Sequence, residues 1–193
     1  MKKFLSIILA AMLVLSLTAC GGKETSNNEP DQEPISINSA LELLTTVWNS
    51  YTDDEKFPVV GGDLSDENMV ADAPGKYGID DADALDTFLG FPAASAEQID
   101  DAASFVHMLN ANTFTCGAFH MKNESDSANL TAAIKDNIMK RQWICGFPDK
   151  LTIVKIDSYV ISFFGTTDIV DTFKTKLTAA YPSAEIICDE PIV

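Results

Sequence analysis

Basic side chains are scarce in this chain: 13 Lys and Arg stand against 29 Asp and Glu, a formal charge of −16 with the histidines neutral. A surface of that sign repels phosphate, so nucleic acid is a poor partner. Histidine is limited to His107 and His120. Cysteine is limited to Cys20, Cys116, Cys145 and Cys188, and no CxxC occurs. That removes a thioredoxin-type dithiol and a paired-cysteine zinc site. The patterns GxSxG, HExxH, GxxxxGK[ST] and GxGxxG are also missing, which weakens the case for hydrolase, kinase or dehydrogenase chemistry. No metal or cofactor is called for, and the chain reads as a non-enzyme. Long apolar runs are missing too. The one such run, Phe4 to Leu17, has 14 residues, short of the roughly 20 that span a bilayer.

That run has another use. Lys2 and Lys3 precede it, giving the charged and apolar regions of a secretory signal. Leu17-Thr18-Ala19-Cys20 resembles the bacterial lipobox, which implies cleavage before Cys20 and diacylglycerol on its sulfur. The alternative is ordinary secretion after a cut at Ala19. Two acyl chains anchor stably where one does not. The expected layout is a signal peptide at 1–19, a lipid anchor and flexible tether at 20–37, and a single acidic α/β domain at 38–193. Its location is the outer face of the cell membrane. The tether reading rests on Pro30, Pro34 and a polar composition that cannot offset its ordering entropy. Losing Lys2 and Lys3 leaves eleven basic against 29 acidic side chains, or −18. Such a domain is repelled by anionic headgroups.

The acids are unevenly spread. Fourteen lie between Asp53 and Asp101, against Lys56 and Lys76 alone. Asp80, Asp81 and Asp83 invite a calcium loop. An EF-hand loop counted from Asp81 has Asp86 where glycine is needed and Pro92 where a bidentate Glu is needed. A helix N-cap with carboxylates favoured by the macrodipole accounts for the same residues. Trp48, Tyr51, Phe57, Phe88 and Phe91 fall in or beside this region. Two readings apply: aromatic feet of peripheral helices, or a groove in which Trp48, Tyr51, Phe57, Asp80, Asp81 and Asp83 hold a cationic peptide or amine.

Ser39-Ala40-Leu41-Glu42 fits a capping box, and Ala40, Leu44, Val47, Trp48 and Tyr51 share a face of the following helix. Residues 53–78 are broken by Pro58, Gly61, Gly62, Pro74 and Gly75 and read as irregular. Asp83 to Leu89 is a short helix stopped by Gly90 and Pro92. Thr113 to Lys122 alternates as a strand after a turn at Asn110–Asn112. Its partner before the turn is a strand, although Ile99 to Leu109 also suits a helix. A helix from Ser127 carries Leu130, Ala133, Ile134, Ile138 and Arg141 and is closed by Gly146 and Pro148. Leu151–Ile156 and Tyr159–Phe164 form a hairpin at Asp157–Ser158. A helix capped by Thr167 follows, with Val170, Phe173, Leu177 and Ala180 in its stripe, then a strand from Ala184 to Cys188. This β-α-β-β-α-β order implies an α+β, ferredoxin-like antiparallel sheet over 103–190, with both helices on one face. One extra N-terminal strand, Ser104 to Asn110 before the turn, is expected with a peripheral N-terminal helix, and 38–102 reads as a helical, irregular acidic part.

That topology brings Cys116, Cys145 and Cys188 toward one end of the sheet. A Cys116–Cys145 disulfide with one leftover thiol is one arrangement, and three buried thiols are the other. Cys116 and His120 share a strand face, but four residues of strand separate them by about 13 Å. That is too far for a nucleophile and its base.

The stretches Met108–Phe114, Arg141-Gln142-Trp143 and Asp157–Phe163 resemble a family of uncharacterised acidic lipoproteins from Clostridia and related Firmicutes. The likeness covers roughly residues 65–190. Some members carry the label bacteriocin transport accessory protein, which implies dithiol chemistry for which this chain has no CxxC. The resemblance implies a turn at Asn110–Asn112 and a Gram-positive surface location, and it carries no catalytic residues. The functional expectation is a membrane-anchored, non-enzymatic accessory module that binds an envelope protein or peptide. The alternatives are a solute-binding lipoprotein for a cationic ligand and a cysteine-dependent redox protein.

Overall fold

The computed structural model describes residues 36–193 apart from Leu64, Asp66 and Cys145. The expected signal peptide, Cys20 and most of the expected tether lie outside the described residues, as does Cys145. No helix among the described residues is long and apolar enough to cross a membrane.

Helix α1 (Ala40–Asn49) starts at Ser39, whose side chain accepts from Glu42 N. The reciprocal half of the box is rerouted: Glu42 Oε2 accepts from Asn38 N and Nδ2. Strands β1 (Val59–Gly61), β2 (Val70–Ala71) and β3 (Gly75–Lys76) follow, then α2 (Ala82–Leu89) and β4 (Ile99–His107). Next come β5 (Phe114–Met121), α3 (Ser127–Met139), β6 (Lys150–Ile156), β7 (Tyr159–Gly165), α4 (Thr167–Ala180) and β8 (Glu185–Pro191). The turn between β4 and β5 is built by Asn110, whose side chain accepts from Asn112 N. Ile156 pairs with Tyr159 across Asp157–Ser158, with Asp157 at φ 50°. That left-handed conformation suits a two-residue hairpin turn.

The strands form one sheet in the order β2-β1-β4-β5-β7-β6-β8, with β3 beside β1 on the same edge of β4. Every pairing is antiparallel. Side chains alternate between faces along each strand, and both faces are covered. On one face, α1 and α4 bury Leu43, Val47, Phe173 and Leu177 against Phe105, Phe114, Cys116 and Phe163. On the other, α2 and α3 bury Leu85, Leu89, Ile134 and Ile138 against Ala102, Phe119, Val160 and Phe164. Double coverage explains why every residue of β7 is buried, an apolar run where a one-faced sheet alternates.

The ferredoxin-like arrangement is corrected in two respects. Its first crossover is present, with β7 inserted between β5 and β6. The last strand, however, pairs with β6 rather than β5, because the β4 hairpin already occupies the outer edge of β5. The crossovers β5-α3-β6 and β7-α4-β8 then step the same way along the sheet from oppositely directed strands. They keep one hand only if their helices lie on opposite faces, as they do. The N-terminal part is also more integral than its sequence suggests. It supplies three short strands, β1 to β3, and the start of β4, and α1 is a core element with Leu43 and Leu44 fully buried.

Residues 53–78 lack periodicity because their glycines permit backbone contact. A Cβ on Gly61 would lie 2.2 Å from Gly75 N, and Gly62 holds φ +87° against Asn68 O. Two helix ends also differ from expectation. Helix α3 stops at Met139, before Arg141, Gly146 and Pro148. Helix α4 has no side-chain cap from Thr166 or Thr167; Asp149 Oδ2, from the loop before β6, accepts from Thr167 N at 3.1 Å.

Candidate functional site

The aromatic half of the sequence-derived site is core. Trp48 and Tyr51 are 3% and 5% exposed. Their rings, Phe57, Phe105 and Phe114 form one edge-and-tilt cluster with centroids 5.1–6.5 Å apart. Trp48 Nε1 donates to Asp72 O. Tyr51 Oη is buried without a hydrogen-bond partner, and burial, with Cys116 and Glu55 nearby, pushes its ionisation up. The acidic half lies elsewhere. Asp81 caps α2 by accepting from Ala84 N at 2.9 Å, and Asp80, Asp81 and Asp83 are exposed. Trp48 and Tyr51 pack in the α1/α4 layer, whereas α2 packs on the opposite face. The six residues therefore do not form one site.

The two described cysteines do not converge either. Cys116 faces α1 and α4, while Cys188, on β8, belongs to the opposite face, with β7 and β6 between them. Both are free thiols. Burial raises the Cys116 thiol well above its usual range, and burial followed by Glu190 raises that of Cys188. The partner suggested for Cys116, Cys145, lies outside the described residues. The histidines sit at opposite ends of the β4/β5 hairpin: His120 pairs with Asp100 at 2.5 Å, and His107 stacks on Phe57 with Nδ1 accepting from Leu109 N. Among the described residues, no group of three or more His, Cys, Asp or Glu is placed to hold a metal ion.

What the sequence reading missed is a groove of about 320 Å³ at one end of the sheet. Its floor is the α2/α3-side face of β1 and β4, at Val60, Ser104 and Val106, which no helix covers fully. Tyr77, Phe88, Met108 and Leu109 also line it. Phe88, Met108 and Leu109 are 50%, 55% and 78% exposed. Side chains of that size in solvent, gathered at one concavity, call for an explanation. Of the five aromatics singled out from the sequence, Phe88 alone stands here in solvent. The usable signal in the sequence was Met108-Leu109 beside a polar turn.

The groove is firmly held. Tyr77 Oη donates to Ala84 O, tying the lining to α2. The C-terminal end of α2 is fixed by Arg141, which donates to Asp86 O, to the Asp86 carboxylate and to Thr87 O, and by Asn137, which donates to Gly90 O. Next to the lining residue Ala111, Asn112 Nδ2 donates to Ile144 O and Gly146 O. Asp63 organises the loop beneath Tyr77. Burial would raise its carboxyl, but hydrogen bonds from Ser65, Asn68 and Gly78 outweigh that and bring it to about 2. Tyr77 is pushed up to about 12 by burial and then by the charges of Asp63 and Asp81. The groove lining is largely apolar, and Asp63 and Asp81 stand outside it, near Tyr77. Scans of protein-family models, curated proteins and solved structures found no match to this chain.

Proposed function

We propose that this protein is a lipid-anchored, non-enzymatic accessory module of the cell envelope, and that its groove receives an apolar segment of a protein or peptide partner. One observation carries the reading. Phe88, Met108 and Leu109 are held in solvent around an apolar concavity by hydrogen bonds that do not depend on them. Exposed apolar side chains on a rigid frame lose little conformational entropy on association, which favours binding. The raised thiols of Cys116 and Cys188 count against cysteine-based redox activity, since the thiolate is the reactive form.

The test is in-cell crosslinking and affinity capture of the tagged full chain, side by side with a Leu109→Asp variant. The wild type should capture an envelope protein or peptide that the variant loses. Equal capture by both would move the binding site away from the groove. Capture of nothing by either would favour the smaller alternative, a cationic solute. Anchoring is tested separately: Cys20→Ser should shift the protein from the membrane fraction to the medium or periphery.

A further inference from the structure

We infer that the groove selects a segment of specific chemistry: a large apolar side chain with a lysine or arginine about three residues away along an extended strand. This rests on the groove being a peptide site and goes further, to what the peptide must carry.

The first ground is the distribution of ion pairs. Every lysine or arginine that is ion-paired among the described residues lies between Lys135 and Lys176. Within the acidic stretch those pairs reach only Glu55 and Asp86, and His120 takes Asp100. Asp63, Asp80, Asp81 and Asp83 have no cationic partner among the described residues. The groove lining contains neither Lys nor Arg. Lys76 precedes Tyr77 in an extended segment, so alternation sends it to the other side.

The second ground is where those charges fall. The field of Asp63 and Asp81 is felt at Tyr77, which itself lines the groove. Asp81, the N-cap of α2, stands seven residues before Phe88, which with Leu89 lines the groove at the other end of that helix. Seven residues of helix rise about 10 Å, which about three residues of extended chain match. An apolar anchor beside Phe88 therefore brings a cation three positions away to the carboxylates at the start of α2. A second copy of this chain is disfavoured as the occupant by its own net charge of −16.

The experiment measures binding of labelled, capped peptides to the purified full chain by fluorescence anisotropy. The peptides are Gly/Ser-based and carry Leu with Lys three positions on, Leu with Glu there, Leu with Gln there, or Lys without Leu. The Leu–Lys peptide should bind about tenfold tighter than the Leu–Glu one, the difference a few exposed charge pairs supply. That preference should shrink with added salt. In D80N/D81N/D83N it should disappear. The variant keeps a competent cap, because Asn caps helices as well as Asp does, and circular dichroism checks that α2 is retained. Equal binding of the Lys, Gln and Glu peptides would overturn the cation preference while leaving the groove as a peptide site. Binding of the Lys-only peptide as tightly as Leu–Lys would replace the inference with a purely acidic surface. Failure of every Leu peptide to bind would overturn both this inference and the groove reading beneath it.

Discussion

At Gly61 a single methyl group would sit 2.2 Å from the Gly75 amide nitrogen and 2.4 Å from Ala73 O, with backbone rather than a yielding side chain on the other side. Gly61→Ala should therefore cost at least the ~1–3 kcal/mol typical of overpacking, read as a lower urea midpoint. Phe173 sits among Phe105, Phe114 and Phe163 with centroids 4.8–5.6 Å away and is fully buried. Phe173→Ala should lose about 3–5 kcal/mol in the same measurement. Leu109 is the opposite case. At 78% exposure, Leu109→Asp should change stability by no more than about 0.5 kcal/mol while abolishing partner capture. A residue important for association and unimportant for folding is what an interaction surface requires.

Helix α4 depends on a residue outside itself. Its first free amide, Thr167 N, is satisfied by Asp149 from before β6. Asp149→Ala should cost about 1 kcal/mol, as loss of a cap does, whereas Thr166→Ala should be nearly silent because its hydroxyl makes no cap bond. Strand β8, at the sheet edge, is clasped in a similar way. Asp189 accepts from Thr152 Oγ1 and pairs with Lys150 and Lys174, which also share Asp171. Burial tends to raise the Asp189 carboxyl, yet bonds from Lys174, Lys150 and Thr152 prevail and bring it to about 2. Its folded value thus lies below the unfolded value of about 3.9. The contribution to stability is complete above about pH 4 and is lost as pH falls toward the folded value. Urea midpoints of wild type and Asp189→Asn should differ most at neutral pH and converge near the acid end of that window. A gap that persists unchanged at the acid end would show that the clasp acts through packing alone.

For the whole molecule, the ledger of charge is one-sided, at −16. Most acids of 53–101 have no ion pair among the described residues, so folding gathers like charges without neutralising them. Self-repulsion of that kind destabilises the compact state and is screened by salt. Raising NaCl from about 0.02 to 0.3 M, across which the Debye length drops well below 10 Å or so, should raise the melting temperature. The surface ion pairs between Lys135 and Lys176 are weakened by the same salt, but each contributes only about 0–1 kcal/mol. A melting temperature that falls with salt would show that the pairs, not the repulsion, dominate. The same unneutralised charge steers cationic partners toward the molecule from a distance.

Local signals in the sequence determined most elements by themselves. Ser39 marks a helix start, Gly90 a helix end, and Asn110 and Asp157 the turns, because caps and turns are satisfied by neighbours within a few residues; the helix expected from Asp83 starts at Ala82 with Asp81 as its cap. The irregular reading of 53–78 missed the short strands β1, β2 and β3 and the use of their glycines: Gly61 and Gly75 matter through a contact fourteen residues apart. Three things were decided by tertiary structure alone. The edge of β5 was taken by β4, which sent β8 to β6 and placed α3 and α4 on opposite faces. Asp149, rather than Thr167, capped α4. The aromatics and acids of one acidic stretch were parted to opposite sides of the sheet, leaving Phe88 with Met108 and Leu109 at a groove. Each turned on competition between distant segments for one edge, one amide or one face, and pattern along the chain carries no record of which segment wins.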